Sequence, residues 1–197
     1  MQENTRTSFK AVLLGDSGVG KTSLVTQWIT GTYQRNTNPT VGANHQRKRV
    51  TIDNREVDIF LWDTAGQEQF QALTPLYARS ASVAVLTTSV IDTTSFDSID
   101  RWLELLSTAT EDKPPVVLVV NKIDLMDEAE ISRESIEEKF TGKFDGIFFV
   151  SAATGEEVNN MFMFAAEAGY RFSADMNVAP KGQNLEETTA VEGKCNC

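Results

Sequence analysis

The stretch from Phe9 to Ser23 constrains the fold of this chain more than any other. The apolar run Ala11–Leu14 is followed by three glycines, by Lys21-Thr22 and by a segment with helical periodicity. This order matches a strand, a G-x-x-x-x-G-K-[ST] loop and a helix. Glycines without Cβ let backbone N–H groups turn inward around phosphate oxygens, and the positive end of the following helix adds to the attraction. The stretch predicts a phosphate-binding loop, although a plain glycine-rich turn would match the same letters.

Length and charge narrow the classes of protein to which this chain can belong. A chain of 197 residues has room for one domain with a substantial core. With 18 Lys+Arg against 28 Asp+Glu, the net charge of −10 opposes binding to nucleic acid or to an anionic bilayer. The sequence contains no apolar run of about 20 residues and no signal-peptide core, so we expect a cytosolic body. Two cysteines, Cys195 and Cys197, provide no disulfide framework.

The order of the predicted elements favours one fold class. A hairpin around Asp53-Asn54-Arg55 follows the first strand and helix, and then strands at 82–89, 116–120 and 147–150 alternate with helices. This order predicts a three-layer α/β fold with a mostly parallel six-stranded sheet and one antiparallel strand. We expect residues 1–7 to be a flexible N-terminus, 8–172 the domain, and 173–197 a flexible tail.

Further polar segments lie at the ends of predicted strands, where such sheets bind ligands. They are Thr40 in the polar loop 32–44, the segment 63–68, the segment 121–124, and Ser151-Ala152. Asp63 follows an apolar run as a magnesium-binding carboxylate should, although it could also cap the next turn. Asp124 is more discriminating, because an ionised carboxylate accepts two hydrogen bonds and guanine offers N1–H and N2–H₂ side by side. Adenine does not present this pair of hydrogen-bond donors to the Asp124 carboxylate.

Together these motifs resemble the Ras superfamily of small GTPases over residues 8–170, and the resemblance implies a P-loop GTPase fold. It implies phosphate contacts from Ser17, Gly18, Val19, Gly20, Lys21, Thr22, Ser23, Thr40 and Gly66. It implies guanine contacts from Tyr33, Asn121, Lys122, Asp124, Ser151, Ala152 and Ala153, although Tyr33 could be an ordinary aromatic residue at a helix end. Mg²⁺ would be the cofactor, bound by Thr22, Thr40 and Asp63. Gln67 resembles the glutamine that positions the attacking water.

Residues 62–68 and 73–77, Ser95-Phe96 and the terminal Cys-Asn-Cys look most like the Rab branch. In that branch His45, Trp62 and Tyr77 correspond to a surface aromatic triad that meets effectors. The chain departs from the family pattern at four positions. His45 replaces a Phe and is otherwise a solvated strand residue, Gln69 replaces an Arg, Ala78 replaces a Tyr and Ala153 replaces a Lys.

The resemblance implies a monomeric molecular switch in vesicle trafficking. GTP with Mg²⁺ would order residues 34–44 and 64–79, and slow hydrolysis to GDP would release them. The implied partners are an exchange factor, a GTPase-activating protein, a GDP-dissociation inhibitor or escort protein, and effectors. A constitutive guanine-nucleotide scaffold with little turnover is the alternative, and an intact Gln67 argues against it. A third hypothesis, a P-loop kinase or ATPase, has no candidate acceptor site in the sequence and leaves Asp124 without a role.

Cys195 and Cys197 resemble the Cys-x-Cys terminus on which Rab proteins receive two geranylgeranyl groups. A reactive or metal-binding pair is the alternative. From residue 175 onward the chain carries two lysines against four acidic residues, so no polybasic patch assists attachment. Two prenyl chains would provide stable attachment to the cytosolic face of an intracellular membrane.

Overall fold

A six-stranded mixed sheet forms the centre of the molecule. The computed structural model describes residues 7–35, 38–129 and 131–178. The strands are β1 (Thr7–Leu14), β2 (Ala43–Ile52), β3 (Arg55–Thr64), β4 (Val83–Ser89), β5 (Val116–Asn121) and β6 (Gly146–Phe149). Their order is β2-β3-β1-β4-β5-β6, and only β2 runs antiparallel to its neighbour. The predicted α/β fold is confirmed, with the basic strand β2 at the sheet edge.

Helices cover both faces of this sheet. They are α1 (Lys21–Thr30), α2 (Glu68–Gln71), α3 (Thr74–Ala78), α4 (Thr94–Asp97), α5 (Ile99–Ala109), α6 (Arg133–Phe140), α7 (Val158–Val178) and a 3₁₀ segment (Ile123–Glu128). Helix α1 ends at Gly31, whose φ of 68° is left-handed and whose N–H donates to the Gln27 carbonyl. The helical stretch from Thr94 to Ala109 is divided at Ser98 into α4 and α5.

Each face of the sheet has its own apolar core. On one face α1 and α7 pack against the strands, and the rings of Trp28 and Phe162 stack with centroids 4.3 Å apart. On the other face Trp102 of α5, Ile136 and Phe140 pack against alternate residues of the same strands. Every residue of β4 is buried. That strand is central and covered on both sides, and its last three residues, Thr87, Thr88 and Ser89, are buried although they are polar.

The β2–β3 hairpin turns in two residues instead of the predicted three. Asp53 and Asn54 have φ values of 49° and 60°, and Arg55 already pairs with Ile52. Two successive left-handed residues match the right-handed twist of the strands, and Asp and Asn tolerate that conformation. The pairing continues to Ala43 and Thr64 at the other end of the hairpin.

Both ends of the domain are more regular than predicted. Thr7 pairs with Val57 in the sheet, and α7 continues to Val178, past the predicted start of the tail at Ser173. The helix can continue because the sequence from 170 to 178 has no glycine or proline. Among the described helices, none is long and apolar enough to cross a bilayer. Cys195 and Cys197 lie outside the described residues.

Helix α7 runs the length of the sheet. It begins shortly after Ala152, at the end where the strands terminate, and its last turns reach the end where β4 begins. There Phe172 and Met176 line a groove of about 500 Å³ with residues 79–82 and 109–112.

Candidate functional site

A cavity of about 280 Å³ lies at the carboxyl ends of the strands. Most of the predicted site residues line it: Ser17, Gly18, Gly20, Lys21, Thr22, Ser23, Tyr33, Thr40, Gly66, Asn121, Lys122, Asp124, Ala152 and Ala153. The parallel topology explains the convergence, because β1, β3 and β5 all terminate at this edge.

Two glycines permit the loops around the cavity to approach each other. Gly20 has a φ of 102°, and a Cβ there would lie 2.3 Å from the Asn121 amide nitrogen. A Cβ at Gly66 would lie 2.3 Å from the carbonyl carbon of Asp16 and 2.4 Å from the nitrogen of Ser17. A side chain at Gly20 would therefore push away the segment 121–124, which we call the base-side loop. A side chain at Gly66 would push the 64–67 loop away from the phosphate-binding loop.

Lys21 provides a buried positive charge at the cavity. Its ammonium donates to the carbonyl oxygens of Gly15 at 2.7 Å and Asp16 at 2.8 Å, and the residue is 6% exposed. Burial lowers the pKa of Lys21 to about 8, and the nearby Asp63 and Asp16 carboxylates oppose that shift. A cation that is short of solvation at the N-terminus of α1 is a strong attractor for an anion.

Thr22, Thr40 and Asp63 bring three side-chain oxygens together. The Thr22 hydroxyl donates to Asp63 Oδ2 at 2.6 Å, and the Thr22 and Thr40 hydroxyl oxygens are 2.9 Å apart. Desolvation raises the pKa of Asp63, while the Thr22 hydrogen bond, the charge of Lys21 and the Thr40 hydrogen bond oppose the rise. Asp63 Oδ1 is buried and has no hydrogen-bond partner among the described residues. Hydroxyl and carboxylate oxygens with an unmet acceptor fit a hard cation such as Mg²⁺.

The base-side loop is tied to the phosphate-binding loop through Asn121. Its amide nitrogen donates to the Val19 carbonyl at 2.8 Å, and its oxygen accepts from the Ala152 N–H at 3.1 Å. Ser151 Oγ donates to Asp124 Oδ1 at 2.5 Å, which orients that carboxylate. Lys122 has a left-handed φ of 67°, and burial lowers its pKa while the charges of Asp92 and Asp124 oppose that shift.

Four predicted residues are absent from the cavity lining. Val19, Asp63 and Ser151 contact residues that line it. Gln67 instead lies at the start of α2, and its side-chain oxygen accepts a hydrogen bond from Gln69 Nε2 at 3.1 Å. The Ala152 N–H, which the resemblance assigns to guanine, donates to Asn121 in this structure.

The cavity is also lined by five residues that the sequence analysis did not assign: Arg35, Asn38, Pro39, Thr64 and Leu125. Thr64 directly follows Asp63, and Leu125 directly follows Asp124. The motifs would therefore have allowed both residues to be placed at the cavity. Arg35, Asn38 and Pro39 belong to the polar loop 32–44, whose composition indicated function but named no side chain.

The predicted effector residues form a continuous aromatic row. Ring centroids are 5.4 Å apart between His45 and Trp62 and 6.0 Å apart between Trp62 and Tyr77, and Phe60 stacks on His45 at 5.4 Å. The ammonium of Lys10 lies 4.3 Å from the centroid of the Trp62 ring. The row therefore spans β2, β3 and α3, the elements next to the cavity loops.

Comparisons with known proteins agree with this geometry. Residues 10–170 match the family model described as the Ras family. The Ras-related protein RABA5c of Arabidopsis thaliana is 35% identical over 152 residues, which cover 77% of this chain and 70% of that protein. The Ras-related protein Rab-7b of Paramecium octaurelia is 37% identical over 174 residues, which cover 85% of this chain and 84% of that protein. The chain belongs to the Rab branch of the Ras superfamily of small GTPases.

Proposed function

We propose that this GTPase is a guanine-nucleotide switch that acts on an intracellular membrane in vesicle trafficking. One observation carries the nucleotide assignment: Lys21 and Thr22 of the phosphate-binding loop and Asp124 of the base-side loop line the same cavity. The cavity therefore offers a cation for phosphates and a carboxylate for guanine. Membership in the Rab branch supports the trafficking role.

The phosphate end of the site attracts negative charge. The buried ammonium of Lys21 exchanges two carbonyl partners for the β- and γ-phosphate oxygens, and Gly66 offers its N–H beside the phosphate-binding loop. Thr22, Thr40 and Asp63 would hold Mg²⁺, which neutralises phosphate charge when it is bound. The unmet Asp63 Oδ1 supports this assignment, because a buried carboxylate oxygen without a partner is costly.

The base end of the site selects guanine. The Ser151 hydroxyl fixes the Asp124 carboxylate by binding one of its oxygens, so the carboxylate is oriented before the base arrives. Tyr33, which is 43% exposed at the cavity, covers the edge of the base, and the Lys122 stem lies along its ring. Ala153 stands where the family often has Lys, so one ring-packing contact is missing and we expect modestly weaker base affinity.

Hydrolysis requires a change at Gln67. Its oxygen accepts from Gln69, and the residue lies beside the cavity instead of in its lining. We infer that the segment 64–79 rearranges when GTP is bound and brings Gln67 to the attacking water. Intrinsic hydrolysis is therefore slow, and an activating protein supplies the remaining transition-state charge.

Partners and membrane complete the proposed cycle. The row of His45, Trp62 and Tyr77 meets effectors, while exchange and activating proteins set the bound nucleotide. Cys195 and Cys197 carry two geranylgeranyl groups, and a GDP-dissociation inhibitor or escort protein returns the lipidated chain to the cytosol. The working location is the cytosolic face of an intracellular membrane.

Replacing Asp124 tests the nucleotide assignment. Asp124→Asn places an amide donor opposite the guanine donors, so GTP affinity should fall by roughly 100-fold, the equivalent of about 2–3 kcal/mol, while XTP binding improves. Competition of GTP, XTP and ATP against a fluorescent GDP analogue measures the change. Asp127→Asn is the matched control, because it removes the same charge from the same 3₁₀ segment outside the cavity lining. Unchanged GTP preference in Asp124→Asn would refute the assignment.

A further inference from the structure

Asp16 occupies a position that the phosphate-loop motif leaves open, and its side chain has an unusual set of partners. Its Oδ1 atom accepts a hydrogen bond from Trp102 Nε1 at 2.9 Å and one from Arg101 Nη2 at 2.8 Å. Both donors belong to α5, 85 and 86 residues along the chain. Asp16 does not line the cavity, so this carboxylate is directed to a helix and not to the ligand.

The α5 side of this contact is firmly held. Trp102 is 1% exposed and is packed in the core beneath the sheet. Arg101 also donates to Ser98 Oγ at 3.2 Å, and its guanidinium lies 5.6 Å from the centre of the Trp102 ring. Two donors on one carboxylate oxygen, one of them charged, make a strong and directional anchor.

The backbone of Asp16 lies where the parts of the phosphate site meet. Its carbonyl oxygen accepts from the Lys21 ammonium at 2.8 Å, and its carbonyl carbon lies against Gly66, where a Cβ would be 2.3 Å away. A shift of Asp16 would therefore displace both the lysine that faces the phosphates and the segment that carries Gly66.

We propose that Asp16 is a positioning residue, which anchors the phosphate-binding loop to Trp102 and Arg101 of α5 and thereby sets how tightly the β-phosphate is held. The proposal rests on the proposed function, because it takes guanine nucleotides as the ligands of the cavity. It assigns α5, which contributes no residue to the cavity lining, a role in nucleotide retention.

The test compares two tryptophans in the same chain. Trp102→Phe keeps a buried aromatic ring and removes the N–H donor to Asp16, but it also makes the buried side chain smaller. The control variant must therefore lose the same ring volume. Trp28→Phe is the matched control, because Trp28 is also buried and its Nε1 donates to a side chain, Asn159, at 3.3 Å, away from the cavity. Affinities for GDP and GMP are measured by displacement of a fluorescent GDP analogue. Since the loop holds the β-phosphate, Trp102→Phe should weaken GDP binding about five- to tenfold and GMP binding less than about twofold.

A second pair separates the hydrogen bond from general damage. Asp16→Asn retains an oxygen that can accept from Trp102 and Arg101 and loses only the negative charge, so it should recover most of the GDP affinity. Asp16→Ala removes both contacts and should weaken GDP binding at least as much as Trp102→Phe does. Equal losses for GDP and GMP in Trp102→Phe, the same GDP loss in Trp28→Phe, or an Asp16→Asn protein as weak as Asp16→Ala would overturn the proposal. Failure of the proposed function looks different: the parent protein would then bind GDP no better than ADP.

Discussion

At the scale of single residues, the site places charges where water is largely excluded. Lys21 is 6% exposed and Asp63 is 1% exposed. Burial lowers the pKa of the first and raises that of the second, so each charged form carries a desolvation cost. In the proposed function, phosphate oxygens and a divalent cation would offset these costs and so give a small cavity affinity for a highly charged ligand.

Gln67 permits a prediction that separates binding from turnover. Gln67→Leu should leave GTP and GDP affinity within about twofold of the parent, because the side chain is absent from the cavity lining. It should slow single-turnover phosphate release by roughly ten- to hundredfold, because the attacking water loses its orientation. Gln69→Leu is the control, since it removes the hydrogen-bond partner of Gln67 and keeps the glutamine itself. Equal release rates for Gln67→Leu and the parent, with and without an activating protein, would contradict the assigned role.

The motif residues could be named from the sequence because their chemistry demands particular side chains in a particular order. Lys21, Thr22 and Asp124 are of this kind. Arg35 and the Asp16–Trp102 contact could not be named, because the first lies in a loop without a required residue type. The second joins positions 86 residues apart, and only the folded chain brings them together.

At the scale of elements, the end of α1 shows how a required backbone conformation can be recognised in the sequence. Gly31 terminates α1 in the left-handed region, and a Cβ at this glycine would meet no atom within 4 Å. The glycine is therefore required by backbone conformation and not by space. A helix end marked by glycine, such as the end of α1, can be predicted from the sequence for this reason. The length of α7 was not, because the polar residues after Tyr170 suit a helix surface as well as a tail.

Gly31→Ala should lower the free energy of unfolding by about 1 kcal/mol, because alanine pays the left-handed penalty without any new clash. For a domain of this size the melting temperature should fall by about 2–4 °C. Gly31→Asn should lose less, since asparagine tolerates the left-handed region. Calorimetry of the three proteins with GDP in excess measures the differences. Identical melting temperatures for Gly31→Ala and the parent would show that the end of α1 relaxes at no cost.

At the scale of the whole molecule, attachment to a membrane is assigned to the last residues of the sequence. The Cys195→Ser, Cys197→Ser double variant should be recovered entirely in the soluble fraction of cells and should bind GTP like the parent. Each single variant should be bound weakly, because one lipid chain anchors only marginally. Fractionation followed by nucleotide binding measures both properties. A double variant that sediments with membranes as fully as the parent would show that another part of the chain provides the attachment.

The path of α7 separates two ends of the molecule. A helix of 21 residues extends about 30 Å, and this one leads from the end of the sheet that carries the cavity to the end where Phe172 and Met176 lie. The chain therefore leaves the described part of the domain at the end of the sheet opposite the cavity. The anchor proposed at Cys195 and Cys197 would then be linked to the domain at the end opposite the cavity, so the mouth of the cavity is not the point at which the chain leaves the domain.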